Sequence, residues 1–69
     1  MKVQVNGGEV GVYDCVSFNT DVEQAGFIRR VTHKSDGHYY FLLEDLEGFK
    51  GIYIGGQTQV TVDSVDCYL

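Results

Sequence analysis

Apolar and polar residues alternate in short bursts along this chain, and glycines separate the bursts. A two-residue period puts successive side chains on opposite faces, the mark of half-buried strands. The dominant burst is Gly37-His38-Tyr39-Tyr40-Phe41-Leu42-Leu43-Glu44-Asp45, which follows the turn signal Asp36-Gly37. It predicts a central strand with Tyr39, Phe41 and Leu43 on one face and Tyr40, Leu42 and Glu44 on the other. Both faces are largely apolar at its start, so the pattern predicts cover on both sides.

The other bursts fall around it. Lys2-Val3-Gln4-Val5 alternates, and Asn6-Gly7 after it is a strong hairpin signal, because a type I′ turn needs positive φ at both central residues. Glu9 to Phe18 reads as one longer strand, with Val10, Val12, Val16 and Phe18 on one face. Asn19 to Ala25 reads as a polar connection. Gly26 to His33 reads as a strand in which Ile28 and Val31 are out of phase, and a bulge at Arg29-Arg30 would return both to the core. Phe49 to Ile54 predicts a further strand with Ile52 and Ile54 in phase, turned by Gly55-Gly56 into Gln57 to Val62. Asp63-Ser64-Val65-Asp66 predicts a single 3₁₀ turn, and Cys67-Tyr68-Leu69 a last short strand. The expected core is Val12, Val16, Phe18, Ile28, Val31, Phe41, Leu43, Ile52, Val60 and Val62.

Five to seven short antiparallel strands with an N-terminal hairpin define an all-β domain, a sandwich or small barrel spanning residues 1–69. A chain of this length buries only about 60% of its unfolded surface, and one core of this size supplies roughly 3–5 kcal/mol. The order of signals resembles the SH3-like (Src-homology-3-like) barrel with its Tudor and KOW relatives. Asp14-Cys15-Val16-Ser17-Phe18, Gly26-Phe27-Ile28-Arg29-Arg30-Val31 and Tyr39-Tyr40-Phe41-Leu42-Leu43-Glu44 carry the resemblance, together with the late turn at Asp63–Asp66. It implies a small SH3-like barrel with an added N-terminal hairpin strand. A small oligonucleotide-binding-type barrel is the alternative. The chain lacks tryptophan and the Ala-Leu-Tyr-Asp-Tyr run of the proline-peptide-binding branch. Its length and acidity also resemble the short uncharacterised proteins of tailed-phage genomes, which implies an accessory or host-modulating role in the host cytoplasm.

Charge narrows the partners. The formal net charge is −5 and the pI about 4.6, so the overall field repels phosphate backbones and anionic membranes. No apolar run is long enough to span a membrane. The N-terminal residues carry no secretory pattern, so a cytoplasmic protein with reduced Cys15 and Cys67 is expected. Ser17, Ser35 and Ser64 lack a nucleophile-elbow context. Cys15 with His33 or His38 has the atom types of a thiolate pair, but a buried structural thiol is the ordinary state of a free cysteine. His33, His38, Cys15 and Cys67 lack zinc-ligand spacing. A two-residue turn at Asp36-Gly37 would set His38 opposite Ser35 and His33 opposite Tyr40. Gly55-Gly56-Gln57 matches the tripeptide of peptide-chain release factors, yet its place between two bursts reads as a turn. No catalytic, cofactor or metal site is expected.

Two surfaces remain. Tyr13, Tyr39, Tyr40 and Tyr53 with Glu44, Asp45 and Glu47 form the candidate protein-binding surface, since aromatics bury area with little rotamer loss. The same tyrosines are the rings available for a cage around a methylated cation. Arg29, Arg30 and Lys34 with Tyr39 and Tyr40 form the alternative, a basic-aromatic nucleic-acid patch. Carboxylates at Glu44, Asp45, Glu47, Asp63 and Asp66 could imitate nucleic-acid phosphates, though charge runs are ordinarily solvated faces. An exposed first strand would allow pairing with a second copy.

Overall fold

The computed structural model describes residues 1–69. Its elements in chain order are β1 (Val3–Val5), β2 (Gly8–Val10), β3 (Cys15–Asn19), β4 (Glu23–His33), β5 (Tyr39–Glu44), β6 (Gln59–Asp63), a 3₁₀ turn (Ser64–Asp66) and β7 (Cys67–Tyr68). All strand pairings within the sheets are antiparallel. β1 and β2 form a two-stranded hairpin across Asn6-Gly7, with Val5 opposite Gly8; of the two central residues only Gly7 has positive φ (+101°), so the turn is not the expected type I′. The other five make one sheet in the order β6-β5-β4-β3-β7. The eleven-residue β4, not β5, is its middle strand. The pairing does not close into a ring. One parallel bridge, Asn6 to Tyr68, joins the hairpin to β7, reinforced by the Leu69 N–H donating to the Asn6 carbonyl at 2.8 Å.

The core lies between hairpin and sheet. Val3, Val5 and Val10 from the hairpin meet Val16, Phe18, Ile28, Phe41, Leu43 and Cys67 from the sheet, with Phe49 from the β5–β6 connection. Phe49 meets Phe18 edge to face, ring centroids 5.6 Å apart. Val31, Tyr39, Val60 and Val62 flank this cluster half-buried. The expected bulge is present: between Ile28 and Arg30 the β4–β5 register shifts by one residue. Ile28 is fully buried and Val31 packs beside it.

Four expectations change. The expected long strand Glu9–Phe18 is broken at residues 11–14, because the Asp14 carboxylate folds back to accept the Gly11 N–H at 2.8 Å. Val12 consequently points outward, 42% exposed. The residues read as the polar connection 19–25 are mostly hairpin, since β4 already pairs from Glu23. Phe49–Ile54 is not a strand: residues 51–56 are bends and turns, and Ile52 is 90% exposed. Finally, the outward face of β5 is only half covered, with Tyr40, Leu42 and Glu44 all of intermediate burial.

The β4–β5 turn also differs by one residue from the two-residue expectation. His33 faces Tyr39 and Thr32 faces Tyr40. The Lys34 N–H donates to the His38 carbonyl, enclosing Ser35-Asp36-Gly37. Gly37 is left-handed (φ +86°), as three-residue hairpin loops require.

Candidate interaction surface

Across the sheet, register aligns Cys15 with Phe27, Phe27 with Glu44, and Glu44 with Gln59. This row lies on the face opposite the core, because its neighbours Val16, Ile28, Leu43 and Val60 turn inward. The extra residue of the bulge, Arg29, sends its Nε to Glu44 Oε1 at 2.6 Å. Gln59 Nε2 donates to the other carboxylate oxygen at 3.1 Å. These two donors, Arg29 first, hold the Glu44 carboxyl below the usual glutamate range. The charge of Arg29 is thus matched on the spot.

Tyr13 completes the cluster. Its N–H donates to the Ile28 carbonyl at 2.7 Å and the Ile28 N–H donates to Asp14 at 2.9 Å, so the 11–14 turn is stitched to β4 beside the bulge. The Tyr13 ring stands 6.0 Å from the Arg29 guanidinium carbon, at the outer reach of a cation–π contact. Tyr13 is the one residue other than glycine with positive φ (+77°). A left-handed tyrosine is disfavoured by roughly 1–2 kcal/mol. Yet its ring is 74% exposed, and Phe27 on the same surface is 53% exposed. Positive φ at Tyr13 is what the third position of the 11–14 turn needs, the turn being closed by the Asp14 N–H donating to the Gly11 carbonyl at 3.1 Å, and it leaves the ring in solvent.

The remaining candidates divide among other places. Tyr39 faces the core side and stacks on His33, centroids 4.5 Å apart. Tyr40 faces outward and donates its hydroxyl to Asp36 at 2.8 Å. Adjacent tyrosines on opposite faces do not converge, so these four rings form no cage. Asp45 accepts the Glu47 N–H at 3.0 Å, a local turn bond, and Glu47 is exposed. Tyr53 is exposed on the β5–β6 connection, its N–H held by Asp21 at 3.1 Å. Of the seven residues, Tyr13 and Glu44 meet, through Arg29. Among the basic residues, Arg29 is paired while Arg30 and Lys34 are exposed without ion pairs. Arg30 faces Leu42 on the same outward surface.

The thiols lie apart in character. Cys15 is exposed on the outward face. Cys67 pairs with Phe18 on the core side, and burial first, then Asp66 and Asp63, pushes its thiol up to about 12. No disulfide joins them. His38 Nδ1 meets Asp63 Oδ2 at 2.6 Å, which raises the imidazole above its ordinary value. No group of three or more potential metal ligands converges.

Sequence reasoning passed over Phe27 and Asp21. Phe27 was legible, since it alternates out of phase with buried Ile28. Asp21 was not, because its partners Ile52 and Tyr53 stand 31 and 32 residues away. Comparison with protein-family models, with curated proteins and with solved structures finds no match to this chain.

Proposed function

We propose that this protein is a small, acidic, non-enzymatic module that binds another protein through the outward face around Tyr13, Phe27, Arg29 and Glu44. The observation that carries the reading is Tyr13: a left-handed backbone conformation leaves its aromatic ring in solvent, 6.0 Å from the Arg29 guanidinium, on a surface that also exposes Phe27. Exposed aromatics around an arginine are the composition of interface centres. The Arg29–Glu44–Gln59 network already satisfies its charges, which lowers the cost of covering it. The frame is a rigid sheet, so little order is lost on binding. In this reading the sheet and the hairpin laid against it are an SH3-like barrel whose pairing stays open. The module acts in the cytoplasm, as an accessory or host-modulating protein if it is phage-encoded.

The test compares partner capture by the native chain and by Tyr13→Ser plus Phe27→Ser, with unchanged circular dichroism as the folding control. A protein partner retained by the native chain and lost by the variant is expected. A gel-shift titration at low salt addresses the second reading, which rests on exposed, unpaired Arg30 and Lys34. Salt-sensitive nucleic-acid binding abolished by Arg29→Glu plus Arg30→Glu would replace the first reading.

A further inference from the structure

The two ends of the five-stranded sheet are finished differently. At β7 the outer edge is engaged by the N-terminal hairpin through Asn6. At β6 nothing follows. The Asp45 N–H donates to the Thr58 carbonyl, which sets the phase of the β5–β6 ladder. Val60 and Val62 then exchange bonds with Leu43 and Phe41, while Gln59, Thr61 and Asp63 aim their backbone groups away from the sheet. Neither Gln59 nor Thr61 finds an intramolecular partner for its backbone N–H or carbonyl. Both residues are exposed.

Proteins ordinarily guard such an edge with lysine, proline, a bulge or a cover. β6 has none of these: its sequence is Gln59-Val60-Thr61-Val62-Asp63 and its register with β5 is unbroken. The order of side chains is also self-complementary about Thr61, which is what a two-fold interface requires of one strand. We infer that the β6 edge pairs antiparallel with β6 of a second copy, centred on Thr61. Thr61 then exchanges two backbone hydrogen bonds with Thr61 of the second copy, and Gln59 faces Asp63 of the second copy at each end.

Charge selects this occupant and this register. Each Asp63 carboxylate, held in its own copy by His38 and the Val65 N–H, meets a neutral glutamine that keeps one amide hydrogen beyond its bond to Glu44, and no like charges stand opposite. Threonine against threonine at the axis and valine against valine beside it are favourable cross-strand pairs. Val60 and Val62, half-buried in the monomer, lose further surface. Centring the pair on Asp63 instead would set two carboxylates face to face. One five-residue edge makes a small interface, so association is concentration-dependent and weak.

Sedimentation equilibrium from about 10 μM to about 1 mM tests this, a range that spans weak association. The mass is expected to rise from 7.7 kDa toward twice that value, and the Gln59 and Thr61 amides to gain exchange protection with concentration. Thr61→Lys sets two ammonium groups together at the axis and leaves every bond to β5 in place. It is expected to remain monomeric at the highest concentration with an unchanged melting temperature. Thr61→Pro removes the outward-facing N–H that the pairing needs and should also remain monomeric, with some loss of melting temperature because the ring fixes φ within the strand. A native chain that stays monomeric to about 1 mM would overturn the proposal. So would a dimer that survives both substitutions, or one abolished by Tyr13→Ser plus Phe27→Ser alone, which would locate self-association on the outward face.

Discussion

The two connections that flank β5 each rely on an aspartate and a left-handed glycine, and they work by opposite means. In the β4–β5 turn, Asp36 accepts the N–H of His38, two residues on, at 2.9 Å. Gly37 supplies the positive φ, and a side chain added there would enter open space. In the β5–β6 connection, Asp21 reaches in from the β3–β4 turn and takes the N–H groups of Ile52 and Tyr53 with one carboxylate oxygen. Gln24 adds a reciprocal pair with Lys50, at 2.8 and 3.0 Å. Gly51, at φ +104°, lies so close that an added Cβ would overlap the Asp21 carboxylate. Its nearness also explains the other oxygen of Asp21, which is buried with no hydrogen-bond partner. One turn is held by its own residues; the other is a long loop clamped by a distant part of the chain. A left-handed glycine is therefore replaceable or irreplaceable according to what stands beside it.

The sharpest way to break the clamped loop is to remove its apolar anchor. Phe49→Ala empties the space beside Phe18 and should cost ~3–5 kcal/mol, comparable with the stability of a domain this small. Chemical denaturation should show the midpoint collapsing or the chain unfolded in buffer. Gly51→Ala comes next, at about 3 kcal/mol, because steric overlap with Asp21 adds to the backbone strain. Exchange at the Ile52 and Tyr53 amides should speed up with it. Gly37→Ala meets strain alone and should cost about 1 kcal/mol. Equal losses in the two glycine variants, read from denaturant midpoints, would erase the distinction drawn between the loops.

The smallest effect is ionic and belongs to the β4–β5 turn and the one contact it makes beyond itself, His38 with Asp63. The His38 N–H, then the Tyr40 hydroxyl, lower the Asp36 carboxyl. The Val65 N–H and then His38 lower Asp63. Carboxyls lowered on folding stabilise above their unfolded value of 3.8, and that contribution is lost as pH falls through the folded value. His38 is raised from 6.5, by its hydrogen bond to Asp63 first. Its contribution is whole below 6.5 and disappears as pH rises through the folded value. Melting temperature should therefore be highest between roughly pH 5 and 6.5 and decline slightly toward pH 8. His38→Gln should flatten the alkaline decline and weaken the acid limb only in part, since the backbone N–H groups of residues 38 and 65 still lower Asp36 and Asp63.

This contrast also explains how far the sequence could be read. Asn6-Gly7, Asp36-Gly37 and Asp63–Asp66 carry their instructions within a few residues, and all three turns form there. Even so, the β4–β5 loop encloses three residues, because the Asp36 side chain engages His38 and moves the register by one. The bulge in β4 was legible because Ile28 and Val31 cannot share a face otherwise. The expected strand at Phe49–Ile54 failed for a nonlocal reason. Its alternation suited a strand, but Gly51 turns left-handed and Asp21 claims the N–H groups that a neighbouring strand would need. Val12 failed for a local one, the Asp14 side chain closing on Gly11. On the outward face, Phe27 followed from phase, while the placement of Tyr13 over Arg29 depended on the hydrogen bonds between the 11–14 turn and Ile28.

The unequal placement of the two cysteines gives the molecule a built-in clock. Cys15 stands in solvent, so an alkylating reagent should mark it at once. Cys67, on the last strand and buried beside Phe18, has its thiol held far from ionisation and should be marked only when the molecule opens. The second addition, timed by mass spectrometry at rising reagent concentration, then reads the opening of the native chain with no probe engineered into it, as an equilibrium while reclosing outpaces alkylation and as a rate once alkylation is faster.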